Sequence, residues 1–99
     1  MFNSVLKVKL EPIHKQSVTL SGERVTLLAV GQEAGGMVLW YESSGFVDTA
    51  QGTPVTVYIA QTDQTYEDIA DSVYVGTVQM ENGDVRHIYA SGAPSKNSW

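Results

Sequence analysis

Apolar and polar side chains alternate along most of this chain with a period of two, which is typical of half-buried β-strands. In residues 5–10, Leu6, Val8 and Leu10 fall on one face, and Val5 and two lysines fall on the other. The same alternation recurs in later segments, at 16–20, 24–32, 37–42, 54–60 and 74–89. We therefore predict an all-β fold, a small antiparallel barrel or sandwich of about six or seven strands.

Turn-forming residues separate these segments. Gly35-Gly36 predicts one hairpin turn, and Asn82-Gly83 between apolar runs predicts a second with a stronger signal. If Asn82 and Gly83 are the two loop residues of that hairpin, Val78 lies opposite His87, and Gly76 lies opposite Tyr89.

Two regions depart from the alternation. Residues 62–71 are acidic and could form at most one short helical turn, with Thr62 or Asp63 as its cap. Residues 91–99 lose the alternation, so we predict a single β domain over 1–90 followed by a flexible C-terminal tail over 91–99.

Composition narrows the classes of function. The 99 residues suffice for one hydrophobic core, and the absence of cysteine excludes disulfides, thiolate nucleophiles and iron-sulfur clusters. The formal net charge of -5 disfavours double-stranded nucleic acid and anionic membranes as partners. A small anionic ligand stays compatible with this charge if basic side chains cluster locally. With no signal-peptide pattern and no long apolar run, a cytoplasmic protein is expected.

The closing hairpin carries two candidate ligand-binding side chains. His87 could donate a hydrogen bond to a ligand, or it could be a structural sheet residue whose partner is a carbonyl or hydroxyl. Arg86 could hold a phosphate or carboxylate bidentately, or it could face solvent. Because the two residues are adjacent on one strand, we predict that they face opposite sides of the sheet.

Aromatic residues supply the remaining candidates. Trp40 could fill the core or serve as a ligand shelf, whereas Tyr41, Tyr58 and Tyr66 are predicted to lie on a stacking surface because they fall away from the valine-rich faces or in a loop. His14 is predicted to be a solvated turn residue. We predict neither a metal site nor a cofactor, since no local ligand spacing supports one. No nucleophile motif occurs either, so an enzyme is not expected.

The order of segments resembles a family of small, uncharacterised β domains encoded in tailed-phage and prophage genomes. The matching stretches are "KQSVTLSGERVTLLAVGQEAGGMVLW" and the closing hairpin "YVGTVQMENGDVRHIY". This resemblance implies a phage origin and a compact β domain, and it carries no activity.

These observations lead to a working hypothesis. We expect a non-enzymatic phage accessory protein that forms a homo-oligomer in the host bacterial cytoplasm and sequesters a host-derived ligand, namely a nucleotide immune signal. Arg86, His87, Tyr58, Tyr41 and Trp40 are its candidate ligand-binding residues. The alternatives are a protein-interaction module that inhibits a host enzyme and a structural virion component.

Overall fold

The alternating segments form seven β-strands. The computed structural model describes residues 3–44 and 52–96. The strands are β1 (Asn3–Leu10), β2 (Lys15–Ser21), β3 (Arg24–Glu33), β4 (Gly36–Ser44), β5 (Gly52–Gln61), β6 (Val73–Gln79) and β7 (Val85–Ser91). Turns without a helix occupy the connection between β5 and β6, residues 62–72. The prediction of an all-β fold of about six or seven strands is therefore confirmed.

The strands pair into two antiparallel sheets. The three-stranded sheet has the order β1-β4-β3, and the four-stranded sheet has the order β2-β5-β7-β6. Residues 11–14 connect β1 to β2 and so pass from one sheet to the other. The architecture agrees with the predicted small sandwich or barrel.

The core lies between the two sheets and contains the inward-facing residues of every strand. Leu20, Leu27, Leu39, Val57 and Ile88 are each 0% exposed. They belong to one apolar cluster, which is continuous across both sheets. Full burial of such a side chain contributes about 1.5–3 kcal/mol, so this cluster is the main source of stability.

The two sheets approach each other closely where β3 faces β6. A Cβ atom added at Gly76 would lie 2.8 Å from Cγ2 of Val30. This separation is well inside the roughly 3.5–4.0 Å at which carbon atoms pack best. The packing of β6 against β3 therefore favours glycine at position 76 over any residue with a side chain.

The last described residues lie against β3. The N–H of Leu27 donates to the carbonyl of Pro94 at 2.8 Å, and the N–H of Lys96 donates to the carbonyl of Leu27 at 2.9 Å. Of the predicted tail over 91–99, Ser91 thus belongs to β7 and Pro94 to Lys96 contact β3. Residues 97–99 lie outside the described residues.

The predicted register of the closing hairpin is wrong by one residue. The N–H of Met80 donates to the carbonyl of Asp84 at 2.7 Å, which leaves a three-residue loop, 81–83. Within that loop only Gly83 has a positive φ, at 91°. A type I turn followed by a left-handed glycine explains this geometry, whereas the predicted two-residue turn needs positive φ at both central residues. His87 consequently pairs with Thr77 rather than with Val78.

The second glycine-rich hairpin also differs by one position from the prediction. Its two loop residues are Ala34, with φ 52°, and Gly35, with φ 79°. Gly36 instead begins β4 and pairs with Glu33. Two positive φ angles in succession are typical of the primed turns that suit the twist of a hairpin.

Candidate functional site

Three tyrosines lie in register across the outer face of the four-stranded sheet. Tyr58 of β5 pairs with Tyr89 of β7, and Tyr89 pairs with Tyr74 of β6. The rings of Tyr74 and Tyr89 meet edge to face, with 5.6 Å between their centroids. Lys15 of β2 pairs with Tyr58, and its Nζ lies 5.9 Å from the centroid of that ring. We call Tyr58, Tyr89 and Tyr74 the tyrosine row.

A bulge in β6 sets the direction of Tyr74. The register between β6 and β7 shifts between Tyr74 and Gly76, so that Val75 is an additional residue on β6. Val75 is fully buried, and Gly76 faces Val30 of the other sheet. Because two successive residues face inward at the bulge, Tyr74 and Thr77 both face outward although they are three positions apart.

His87 lies beside the tyrosine row and is held by two hydroxyl groups. Its Nε2 is 2.8 Å from Oγ1 of Thr62, and its Nδ1 is 3.2 Å from Oγ1 of Thr77. Oγ1 of Thr77 is in turn 2.5 Å from the hydroxyl of Tyr74. This network links the start of the β5–β6 connection to β6 and β7. Both ring nitrogens of His87 thus have a partner within the chain.

A cleft of about 440 Å³ lies between this part of the sheet and the β5–β6 connection. Ala60, Gln61, His87 and Tyr89 line it from the sheet, and residues 62–66 and Ile69 line it from the connection. Rings, amides and hydroxyl groups dominate its surface. Such a lining suits a ligand that has both a flat ring and hydrogen-bonding atoms.

His14 fastens the β5–β6 connection to the sheet. Its Nδ1 lies 2.9 Å from the carbonyl oxygen of Ile59, and its Nε2 lies 2.8 Å from Oδ2 of Asp68. Its ring also stacks on Tyr66, with 4.4 Å between centroids and 18° between planes. The carbonyl of Ile59 and the carboxylate of Asp68 raise the pKa of His14, against the opposing effects of partial burial and of Lys15.

The prediction that His14 is a solvated turn residue is therefore wrong. The local sequence "EPIHKQ" contains none of its partners, because Ile59 and Asp68 lie 45 and 54 residues further along the chain. Only the pairing of β2 with β5 brings these groups together.

Arg86 lies on the opposite side of the four-stranded sheet from His87. Its Nη2 is 3.1 Å from Oδ2 of Asp84. It borders a separate cleft of about 270 Å³ at one end of the molecule, with Met37 and Met80 among the lining residues. Arg86 and His87 therefore face different clefts of the same chain.

The structure separates Tyr41 and Trp40 from the tyrosine row. Tyr41 is 4% exposed and lies in the core, where its hydroxyl accepts a hydrogen bond from the N–H of Ser21 at 3.1 Å. The prediction of a stacking role for Tyr41 is wrong, because this side of β4 faces the core. Trp40 faces away from the core and covers Gly31, whose added Cβ would lie 2.8 Å from the indole ring.

Of the five predicted ligand-binding residues, only His87 and Tyr58 thus lie on the same sheet face within a single chain. The sequence interpretation did not include Tyr74 and Tyr89 among the candidates. The hairpin sequence did indicate these two residues, since the predicted strand pattern places both tyrosines on the same face as His87.

The fold and this surface define the class of the protein as a small two-sheet β domain with an aromatic outer face. The chain belongs to the family described as domain of unknown function DUF7352, whose family model matches residues 1–98. No curated protein matches the chain. No solved structure matches it either.

Two further observations concern the described residues alone. Among them, no helix is long and apolar enough to cross a bilayer. Residues 3–44 and 52–96 also contain no group of three or more His, Asp or Glu side chains placed to hold a metal ion.

Proposed function

We propose that this protein is a non-enzymatic, phage-encoded binding domain that holds a host-derived ligand against the tyrosine row. The observation that carries this proposal is the register of Tyr58, Tyr89 and Tyr74 across adjacent strands. The rings of Tyr74 and Tyr89 contact each other and form the accessible part of the row, and Tyr58, which is 9% exposed, forms its buried end beside Lys15. Rings placed in this way provide stacking surfaces for flat ligands.

A nucleotide immune signal of the host bacterium is the specific ligand that we propose. Its base would stack on the tyrosine row, and its phosphate would lie near Lys15, the cation at one end of that row. The net charge of -5 opposes anionic ligands at long range, so stacking has to supply most of the affinity. Sequestration in the host cytoplasm would then lower the free concentration of the signal.

The arrangement around His87 favours binding over catalysis. A general base needs a free nitrogen within reach of the substrate, whereas the nitrogens of His87 already contact Thr62 and Thr77. The hydroxyl contacts instead fix the position of the ring beside the cleft. We therefore assign His87 a positioning role.

Calorimetric titration with a panel of cyclic mononucleotides and cyclic dinucleotides tests this proposal. Tyr74 is 37% exposed, so Tyr74→Thr removes an accessible ring at little risk to the core. Loss of one stacking contact of about 1–3 kcal/mol should weaken binding roughly 5- to 150-fold. Val5→Thr is the matched control because Val5 is 64% exposed on the other sheet. Equal affinity of the two variants, or no binding of any nucleotide, would refute the proposal.

A second candidate is a protein-interaction module that inhibits a host enzyme. The observation in its favour is the acidic β5–β6 connection, in which Asp63 lines the cleft and Asp63, Glu67 and Asp71 are all exposed. Aromatic rings with a charged rim are common at protein interfaces. The triple variant Asp63→Asn, Glu67→Ser and Asp71→Asn should abolish partner binding in that case. Nucleotide binding should instead be unchanged or slightly tighter in this variant.

We also propose that the domain forms a homo-oligomer. Within the described residues, β1 pairs only with β4 and β2 only with β5, so each sheet has an edge available for pairing. Pairing with a second copy is one common way to cover such edges. Native mass spectrometry tests this expectation, and a strictly monomeric protein at micromolar concentration would contradict it.

A further inference from the structure

Both ring nitrogens of His14 face atoms that can only accept a hydrogen bond. Nδ1 faces the carbonyl oxygen of Ile59 at 2.9 Å, and Nε2 faces the two carboxylate oxygens of Asp68 at 3.0 and 2.8 Å. A neutral imidazole has a single N–H, so it would turn a lone pair toward one of these acceptors. An imidazolium donates to both. The geometry around His14 is therefore that of the protonated ring.

The two partners of His14 belong to different parts of the fold. Ile59 lies in β5, and its N–H also donates to the carbonyl of His14 at 2.7 Å, which anchors His14 to the sheet. Asp68 and the stacked Tyr66 belong to the β5–β6 connection, which forms one wall of the cleft. The proton on His14 thus controls one of the bonds between this wall and the sheet, besides those that Thr62 makes with His87 and that the Gln61 N–H makes with the Tyr66 hydroxyl.

The charged and titratable groups around His14 come from three elements. Lys15 follows it in β2, Tyr58 of β5 lies 6.0 Å away between ring centroids, and Tyr66 and Asp68 face it from the connection. Lys15 opposes protonation and Asp68 favours it. Asp68 is the carboxylate among these groups and contacts the ring directly, so its removal should change the titration of His14 most.

We propose that protonated His14 is a clasp that closes the β5–β6 connection over the outer face of the four-stranded sheet, so that ligand affinity falls when His14 loses its proton. The closure itself follows from the contacts of His14, whereas its effect on ligand affinity rests on the proposed function. Linkage then requires that ligand binding favours protonation of His14 to the same extent.

The first experiment measures, without a ligand, how the protonation of His14 affects the β5–β6 connection. An NMR titration reports the pKa of His14, and amide hydrogen exchange reports the connection at two positions. The N–H of Gln64 donates to the carbonyl of Gln61 at the end of β5, and the N–H of Ser72 donates to the carbonyl of Ile69. Protection of these amides should fall as pH rises through the pKa of His14. Asp68→Asn should lower that pKa and reduce the protection about threefold to tenfold at low pH.

Asp71→Asn is the matched control, since it makes the same chemical change in the same connection away from His14. This variant should keep the wild-type titration and protection. His14→Gln should keep one hydrogen bond and lose the pH dependence altogether. Equal effects of Asp68→Asn and Asp71→Asn, or protection that does not depend on pH in the wild type, would overturn the clasp.

The second experiment measures the affinity for 3′,5′-cyclic AMP at about pH 6 and about pH 8, on either side of the ordinary histidine pKa. Its phosphodiester does not titrate in this interval, so a change in affinity reports the protein. We expect binding about threefold to tenfold weaker at the higher pH, and no such difference for Asp68→Asn. Equal affinity at both pH values while His14 titrates would overturn the link to the ligand. No binding at either pH would count against the proposed function, while the first experiment still decides the clasp.

Discussion

The replacement Gly76→Ala tests the close approach of β6 to β3, which determines where β6 places Tyr74. The added methyl group would lie 2.8 Å from Cγ2 of Val30. Overpacking of this kind costs about 1–3 kcal/mol. Gly76 has no positive φ, so alanine also gains about 0.4–1 kcal/mol from the lower entropy of the unfolded chain. The net expectation is a loss of about 1–2 kcal/mol.

Thermal and urea unfolding measure this loss. For a domain of this size, a decrease of about 1–2 kcal/mol lowers the Tm by roughly 5–15 °C. Gly36→Ala is the matched control, because its added Cβ would lie 3.4 Å from the nearest atom, Cε of Lys9, and Gly36 has no positive φ. It should change the stability by less than about 0.5 kcal/mol.

A double-mutant cycle with Val30→Ala identifies the cause. Val30→Ala removes the methyl group that the new side chain at position 76 would contact, so the double variant should be more stable than the sum of the single changes by about 1 kcal/mol. Additive effects, or a Gly76→Ala variant as stable as the wild type, would show that β6 and β3 do not approach each other as described.

Three further predictions concern single side chains. Tyr41→Phe removes the acceptor of the Ser21 N–H and should cost about 1–3 kcal/mol in urea unfolding, whereas Tyr58→Phe should change stability by less than about 0.5 kcal/mol. Ser43→Ala should be neutral or stabilising by up to about 1 kcal/mol, because Oγ of Ser43 is buried without a hydrogen-bond partner among the described residues; a large loss would contradict this. The raised pKa of His14 means that its stabilising contribution is complete below about pH 6.5 and is lost as pH rises through the folded-state pKa. Unfolding midpoints across this interval should therefore fall more in the wild type than in Asp68→Asn, and parallel curves would refute the assignment.

The fold followed from the sequence because alternation of apolar residues is a local signal. Each strand carries its own period-two pattern, and every connection except the one between β5 and β6 contains glycine, asparagine or proline. The register of the closing hairpin was harder to predict, because Asn82-Gly83 fits both a two-residue turn and the observed three-residue loop. A one-residue change of register gives each residue a different cross-strand neighbour, and His87 thereby gains Thr77 in place of Val78.

The candidate site was harder to predict, because it is built from contacts between residues that lie far apart in the sequence. His14 meets Asp68 across 54 residues, through the pairing of β2 with β5. Tyr74 reaches the outer face only because β6 has a bulge next to Gly76, and the sequence shows a glycine there without showing the bulge. The position of Tyr41 was mispredicted because both faces of β4 carry aromatic and aliphatic residues. Alternation alone does not indicate which of these faces is buried.

The measurement that tests the central proposal most directly is an NMR chemical-shift titration of isotopically labelled protein with the cyclic nucleotide panel. We predict saturable shifts centred on Tyr58, Tyr89, Tyr74 and His87, with the largest changes on the outer face of the four-stranded sheet. Shifts centred on Arg86 and Met80, shifts centred on Trp40, or no shifts with any member of the panel would contradict the account.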